Sequence, residues 1–176
     1  MSKEIDTLCF IYVTYHPIIV ATAAAHGHRL EVMAGILMRE TEGGLSRYLD
    51  KKGPEGRGDF GHGHGLFQID DRSFPEFCAS EDWKDPLKNA MMAGSVLNQK
   101  RIALKVLSRQ KGLVIADPER ASIAAYNCGE GNVIKVLSEQ RDVDAKTAHG
   151  NYSADVLRLA GEYVKIINTE LGRTIT

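Results

Sequence analysis

A glutamate, Glu40, closes a run of apolar residues whose spacing points to chemistry. The run consists of Leu30, Met33, Ile36 and Leu37. Steps of three and four residues bring side chains onto one face of a helix, so Glu40 is predicted on an apolar face. Removal from water disfavours the charged carboxylate and raises its pKa. A carboxyl that keeps its proton near neutral pH can act as a general acid toward a leaving oxygen. Glu42 lies off this face and is expected to be exposed.

Two aspartates, Asp59 and Asp70, lie in a part of the chain that is rich in glycine. Residues 43–65 contain eight glycines and are predicted to form no regular element. Glycine lets a backbone approach a ligand closely and adopt positive φ angles. A loop of this kind, with an acid near each end, can line a groove across from Glu40. The pattern alone leaves a flexible surface turn open as the alternative.

The elements that must position these acids are mainly helical. Cap and stop signals predict the following helices: 17–26 with Pro17 in its first turn, 30–40 before Gly43-Gly44, one opened by Asp85-Pro86, one from Asp117-Pro118 to Asn127, 132–139, and one between Ser153 and Gly172. A short strand or hairpin is predicted at 66–69. The predicted fold class is α+β, mainly α, with a helical core and a small β-hairpin beside the glycine-rich loop. We expect one domain over 1–176.

Composition excludes several classes of function. The chain has 22 Lys and Arg against 23 Asp and Glu, a net charge of −1, which argues against a nucleic-acid partner.

Cys9, Cys78 and Cys128 form an odd, sparse set rather than a disulfide framework. They are predicted to be small buried side chains, with one bridge plus a free thiol as the alternative. We expect a monomer.

Residues 8–25 are apolar enough to raise the question of a signal peptide or membrane anchor. The basic Lys3 is offset by Glu4 and Asp6, and Pro17 interrupts the run, which leaves a poor leader and a short apolar stretch. We therefore expect a buried or half-buried helix, no convincing signal peptide and no membrane partner. The signal-peptide and anchor interpretations stay open as alternatives.

Two histidine pairs raise the possibility of a metal site. They are His26-Gly27-His28 and His62-Gly63-His64. No cysteine or third histidine stands at a supporting spacing, and the flanking glycines disfavour a rigid site. We expect no metal and no organic cofactor, with His62 and His64 lining the loop or facing solvent.

Four short motifs together resemble goose-type lysozymes and, more broadly, the catalytic domains of soluble lytic transglycosylases. They occur in the family's order between about residue 30 and residue 165. The motifs are Arg39-Glu40-Thr41-Glu42-Gly43-Gly44, Gly58-Asp59 with Gly65-Leu66-Phe67-Gln68-Ile69-Asp70, Ala125-Tyr126-Asn127-Cys128-Gly129 with Gly131-Asn132-Val133, and Tyr152 ahead of Asp155-Val156. The resemblance implies a lysozyme-like fold with a sugar-binding cleft, while residues 1–15 form an extension of unclear role.

The resemblance implies roles for particular residues. Glu40 is the expected general acid, and Asp59 and Asp70 are expected to hold the attacking water. The residues expected in or beside the sugar groove are Gln68, Tyr126, Asn127 and Tyr152. Core packing remains the alternative for the tyrosines. The implied activity is an inverting muramidase that cleaves the β-1,4 bond between N-acetylmuramic acid and N-acetylglucosamine of peptidoglycan glycan strands, in the periplasm or outside the cell.

Some positions depart from the family pattern. The stretch between Glu40 and Asp59 is longer than in the bird enzymes, Phe74 stands where histidine is usual, and Cys128 replaces alanine. The vertebrate cysteine pattern is absent, so the chain looks more like bacterial or phage members, endolysins included. A lytic transglycosylase that leaves 1,6-anhydro ends and a non-catalytic glycan-binding module are the alternative functions.

Overall fold

The structure is a computed structural model that describes the backbone of residues 2–174 and the side chains of residues 2–170. The helices are α1 (Lys3–His26), α2 (Leu30–Thr41), α3 (Pro75–Ala79), α4 (Pro86–Gln110), α5 (Pro118–Cys128), α6 (Glu130–Ser138) and α7 (Tyr152–Thr174). The strands are β1 (Arg57–Gly58), β2 (Gly63–His64) and β3 (Ile69–Asp70), which form one antiparallel sheet in the order β1-β2-β3. The predicted α+β, mainly α fold class is confirmed.

The chain divides into two compact units. Unit 1 consists of Met1–Gly94 and Arg158–Thr176, and unit 2 is Ser95–Leu157. Helices α4 and α7 contribute residues to both units. The expectation of a single domain over 1–176 stays a prediction, and the two units are described separately below.

Unit 1 is built on the packing of α1 against α2. Its fully buried side chains from these helices are Leu8, Ile11, Ile19, Met33, Ile36 and Leu37. Helix α2 is buried on nearly every side, since Val32, Ala34 and Gly35 are also buried. Beyond α2 the backbone passes so close to α1 that a Cβ on Gly43 would lie 2.8 Å from Cγ1 of Ile11. The glycine there permits this approach and the positive φ of 66°.

Helix α1 is longer than the sequence indicated. Ser2 caps it by accepting a hydrogen bond from the amide of Ile5, and Pro17 lies in its interior. The prediction that Pro17 opens a helix is therefore wrong. Proline leaves one helical carbonyl without its donor, that of Val13. The Val13 side chain is 81% exposed, so water can serve this turn of the helix.

Among the described residues, α1 alone is long and apolar enough to cross a membrane by length and composition. Its most apolar window has a mean hydropathy of 1.6, and 33% of that window is buried within the protein. Core helices of soluble proteins and signal sequences share these properties. In unit 1 the helix is tied to α7 by the Glu4–Arg158 ion pair at 2.7 Å and by His16 Nδ1 and the Tyr163 hydroxyl at 3.0 Å.

Unit 2 has its own core around α5 and α6. The buried members are Leu104, Ala121, Ala124, Ala125, Val133 and Ile134. Asp117 caps α5 by accepting a hydrogen bond from the amide of Arg120 at 2.9 Å, and Pro118 is the first helical residue. The start signal read from Asp117-Pro118 is thus confirmed.

Helix α7 departs from its predicted bounds. It begins at Tyr152, so Ser153 lies in its first turn rather than at its cap. The helix also continues past Gly172 to Thr174. Both boundary predictions are wrong. At the start, the amide groups that would need a cap donate to Asp144, nine residues before Ser153, as described below.

The three cysteines are free thiols. Cys78 is buried, and Cys9 and Cys128 are half-buried. Burial raises the pKa of Cys78 to about 11, so its thiolate is scarce at neutral pH. The prediction of small buried side chains is confirmed for Cys78, whereas Cys9 and Cys128 are only half-buried, and the alternative of one bridge does not fit three free thiols.

Candidate active site

Glu40 is the next-to-last residue of α2, and it is half-buried. Its neighbour Thr41 is 1% exposed and donates a hydrogen bond from its hydroxyl to the carbonyl of Leu66 at 2.7 Å. The same oxygen accepts from the amide of Gly44 at 3.1 Å. The last turn of α2 is therefore fixed to the turn that joins β2 and β3. Glu42 is less exposed than expected, with 31% of its side chain accessible beside Lys3.

The sheet brings the glycine-rich segment together. Gly58 pairs with Gly63, and Gly63 pairs with Asp70. A Cβ on either glycine would lie 2.4 Å from Oε1 of Gln68. The two glycines are required because the side chain of Gln68 lies across this part of the sheet. The expectation of no regular element in 43–65 is therefore wrong, since β1 and β2 lie inside that range.

Gln68 has a clear role within the loop itself. Its Nε2 donates to the carbonyl of Gly65 at 2.7 Å and to that of Gly56 at 3.3 Å. Its own backbone has a positive φ of 50°. An amide used in this way holds the loop shape, and its expected contact with a sugar stays a prediction.

A buried asparagine on α4, Asn89, fixes the turn between β2 and β3. It is 0% exposed. Its Oδ1 accepts from the amide of Phe67 at 2.8 Å, and its Nδ2 donates to the carbonyl of His64 at 3.0 Å. The turn keeps residues 66–68 out of the sheet, so the strand predicted at 66–69 is limited to Ile69 and continues to Asp70.

Asp59 and Asp70 are brought together by an arginine that the sequence did not single out. The guanidinium of Arg72 lies 2.6 Å from Oδ2 of Asp59 and 2.8 Å, through Nε, from Oδ1 of Asp70. The hydroxyl of Ser73 donates to Oδ2 of Asp70 at 3.0 Å. Burial raises the pKa of Asp70, but hydrogen bonds from Arg72 and Ser73 outweigh it and leave that pKa below its ordinary value.

The two loop histidines have different surroundings. His62 is half-buried, and its Nδ1 lies 2.9 Å from Oδ1 of Asp71. His64 is 6% exposed, packs edge-on against Trp83 with the ring centres 4.8 Å apart, and reaches the carbonyl of His62 through Nδ1 at 3.0 Å. His64 is therefore packed against Trp83 and the loop backbone and does not face solvent. Among the described residues, no three His, Cys, Asp or Glu side chains are grouped so that they could hold a metal ion.

The remaining predicted site residues lie in unit 2. Tyr126 is half-buried in the last turn of α5. Asn127 is exposed, and its Oδ1 accepts from the amide of Ala148 at 2.8 Å. Tyr152 is 2% exposed, and its amide donates to the hydroxyl of Thr147 at 3.1 Å. Such burial suits the core alternative for Tyr152, and the sugar-binding roles stay predictions.

Asp144 organises the start of α7 and was missed by the sequence. It is 1% exposed. Its carboxylate accepts from the amides of Ser153 at 2.8 Å and Ala154 at 3.0 Å, and from the Ser153 hydroxyl at 2.7 Å. Burial raises the pKa of Asp144, but the lowering by these hydrogen bonds is larger. The pKa of Asp144 therefore lies below its ordinary value. No local motif signals this contact, because the carboxylate stands nine residues before Ser153.

The turn that follows β1 carries a strained, exposed aromatic residue. Phe60 is fully exposed and has a φ of 56°, next to Asp59 at 48°. Left-handed backbone is costly for residues other than Gly, Asn and Asp. We expect Phe60→Asn to raise the free energy of unfolding by about 0.5–1 kcal/mol, measured by urea unfolding.

The control for Phe60→Asn is Val114→Asn. Val114 is 89% exposed and is not among the residues with positive φ. The control removes an exposed apolar group without relief of strain, so its stability should hardly change. Equal gains in the two variants would contradict the assignment of the gain to the backbone.

Comparison with known proteins gives a consistent result. The sequence pattern that describes the family "Lysozyme g" matches residues 10–165. The chain is 28% identical over 132 residues to "Lysozyme g" of Casuarius casuarius, covering 75% of this chain and 63% of the relative. It is 30% identical over 132 residues to "Lysozyme G" of Dromaius novaehollandiae and to "Lysozyme g" of Struthio camelus, covering 57% of each. The match thus spans less than two thirds of the length of these relatives.

Proposed function

Because the chain belongs to the lysozyme g family, we propose that it is a glycoside hydrolase that cleaves peptidoglycan. The proposed bond is the β-1,4 link between N-acetylmuramic acid and N-acetylglucosamine. The observation that carries the proposal is the bond from Thr41 to the Leu66 carbonyl at 2.7 Å. It fixes the helix end that bears Glu40 to the sheet region that bears Asp59 and Asp70. The proposed acid and the two proposed water-holding aspartates therefore lie on connected segments of unit 1.

In this proposal, the acids have different tasks. Glu40 gives its proton to the bridging oxygen as the glycosidic bond breaks. Asp70, assisted by Asp59, orients a water on the opposite face of the sugar and accepts its proton. The lowered pKa of Asp70 supports this division, because an ionised carboxylate can accept hydrogen bonds from the water. Inversion requires roughly 6.5–9.5 Å between the acid and base carboxyls, enough to hold one water.

The groove residues are proposed with less specific roles. Tyr126 and Asn127 stand at the end of α5 and Tyr152 at the start of α7, both within unit 2. Their proposed partners are sugar faces and N-acetyl groups, because tyrosine combines an apolar ring with a hydroxyl. Gln68 would hold the shape of the loop, and its side-chain carbonyl would accept hydrogen bonds from the sugar. No metal or organic cofactor enters the proposed reaction.

The setting follows from the substrate. Peptidoglycan lies outside the cytoplasmic membrane, so the proposed place of action is the periplasm or the exterior. We propose a monomer that works on glycan strands without a nucleic-acid or membrane partner. A bacterial or phage origin, with cell-wall remodelling or lysis as the purpose, remains a prediction from the absent vertebrate cysteine pattern.

Product analysis tests the function. Purified peptidoglycan digested by the protein is expected to yield muropeptides with a free reducing end, detected by mass spectrometry. Proton NMR during the first turnovers should show the α-anomer forming first, because an inverting enzyme converts a β-link to an α-product. Products that are only 1,6-anhydro, and so lack one water, would identify a lytic transglycosylase instead. Tight binding to peptidoglycan without any product would indicate a binding module.

A further inference from the structure

We propose that Arg72 is a positioning residue that holds the carboxyl groups of Asp59 and Asp70 at a fixed separation around the attacking water. The inference rests on the proposed function and adds a residue to it. Neither the cap signals nor the family motifs of the sequence include Arg72. Its role follows from the contacts of one side chain with two acids that stand on different turns of the glycine-rich segment.

The geometry of the guanidinium supports this role. Arg72 uses Nε for Asp70 at 2.8 Å and a terminal nitrogen for Asp59 at 2.6 Å. These donors belong to one rigid planar group, so the distance between the two carboxylates is set by the group itself. Lysine offers a single flexible point of charge and cannot fix that distance.

Asp70 is further immobilised by its own turn. The amide of Arg72 donates to Oδ1 of Asp70 at 3.3 Å, and the hydroxyl of Ser73 donates to Oδ2 at 3.0 Å. Among the described residues, only Arg72 donates a hydrogen bond to the Asp59 side chain, and the Asp59 backbone is in the left-handed region at φ 48°. The Arg72 contact is therefore the restraint that joins Asp59 to an already fixed Asp70.

Electrostatics give Arg72 a second effect. Two carboxylates close to each other repel, and the pKa of one of them rises. Arg72 places a cation between them, and its hydrogen bonds help to keep the pKa of Asp70 below its ordinary value. The other titratable groups near this end of the sheet are Asp71 with its partner His62, and the Cys78 thiol, whose pKa is raised in part by Asp70 and Asp71.

The ion pairs of Arg72 with Asp59 and Asp70 are too exposed to contribute much to the stability of the fold. The side chains of Arg72, Asp59 and Asp70 are 58%, 55% and 36% exposed. Ion pairs in such positions are screened by water and stabilise proteins little. Variants at Arg72 should therefore fold, with a melting temperature near that of the wild type. A change in the catalytic rate of these variants then reflects the positions of Asp59 and Asp70 rather than unfolding of the protein.

The experiment compares Arg72→Gln and Arg72→Lys with the control Arg57→Gln. Arg57, on β1 of the same sheet, pairs with Asp50 at 3.2 Å and is 47% exposed, so the control removes a similar ion pair that involves neither Asp59 nor Asp70. On soluble glycan fragments, Arg72→Gln is expected to lower kcat by at least about tenfold with little change in KM. The acidic limb of its kcat/KM profile should move to higher pH. Arg72→Lys should restore the limb but only part of kcat, and Arg57→Gln should match the wild type.

A second readout needs no turnover. Carbon-13 NMR of the aspartate carboxyls, titrated with pH, is expected to show a higher pKa for Asp70 in Arg72→Gln than in the wild type. Unchanged carboxyl titrations, or a loss of kcat equal to that of Arg57→Gln, would overturn the inference. The two proposals can fail separately. If the wild type makes no product but the aspartate titrations still differ between wild type and Arg72→Gln, the proposed function is overturned and the Arg72 contact stays supported.

Discussion

Glu40→Gln is expected to lower the rate of peptidoglycan cleavage by about 10³-fold, the range lost when a general acid is removed. Glutamine has the size of glutamate and no acidic proton, so the leaving oxygen would depart as an unstabilised anion. Glu40 is half-buried at the end of α2. An isosteric change there should leave the melting temperature within about 2 °C of the wild type. Release of reducing ends from purified peptidoglycan measures the rate.

Glu42→Gln provides the matched control. It makes the same substitution two residues further along, at the residue that ends α2 with a φ of 52°. Glu42 forms an ion pair with Lys3 at 3.3 Å, and the Lys3 side chain is 86% exposed, so loss of this contact should cost little. Glu42→Gln should keep wild-type cleavage. Equal clearing of a bacterial suspension by wild type and Glu40→Gln would refute the enzymatic proposal, whereas equal loss in both variants would refute the special role of Glu40.

The sequence predicted helices best where their signals were local. Asp117 followed by Pro118 fixes the start of α5 through a side-chain cap and a preset φ, and neither depends on the rest of the fold. The prediction that Pro17 lies in the first turn of a helix was wrong because the fixed φ of proline also fits a helix interior. The apolar spacing that ends at Glu40 located α2 but exaggerated its amphipathic character, because α2 is buried on nearly all sides.

The glycine-rich segment shows why the sheet was harder to predict. Its strands are two residues long, too short for an alternating pattern to appear. Gly58 and Gly63 are explained by the side chain of Gln68, which approaches both across the sheet. Contacts of this kind arise only after the chain has folded, so the sequence showed many glycines without showing what each one accommodates.

The candidate acids were predictable by type, while their partners were not. Asp59 and Asp70 stood out as acids beside glycines, but Arg72 follows Asp70 by two residues and Asp59 by thirteen. An arginine at such spacings matches no short motif. Its importance depends on the turns that bring both carboxylates within reach. The same reasoning applies to Asn89, which acts on residues 22 and 25 positions away.

Asp144→Ala is expected to lower the free energy of unfolding by about 3–4 kcal/mol, or the melting temperature by roughly 10 °C. The carboxylate is 1% exposed and serves as the cap of α7 by accepting from the amides of Ser153 and Ala154. Its removal leaves the buried amide and hydroxyl of Ser153 and the amide of Ala154 without their acceptor, and it takes from Arg120, 3.3 Å away, one of its two carboxylate partners. Buried donors that lose a partner are costly. Urea unfolding at pH 7 measures the loss.

The pH dependence of this loss identifies the charge as its cause. Since the pKa of Asp144 is lowered in the folded protein, its ionisation stabilises the fold above the unfolded value near pH 4. That contribution disappears as the pH falls through the folded pKa. The difference in the free energy of unfolding between wild type and Asp144→Ala should therefore shrink as the pH falls below about 4.

Asp142→Ala is the control. Asp142 also binds Arg120, at 2.7 Å, but its side chain is 55% exposed. Its substitution should therefore cost only about 1 kcal/mol. An equal cost in both variants, or a gap that stays constant on acidification, would show that the α7 cap does not depend on a buried carboxylate.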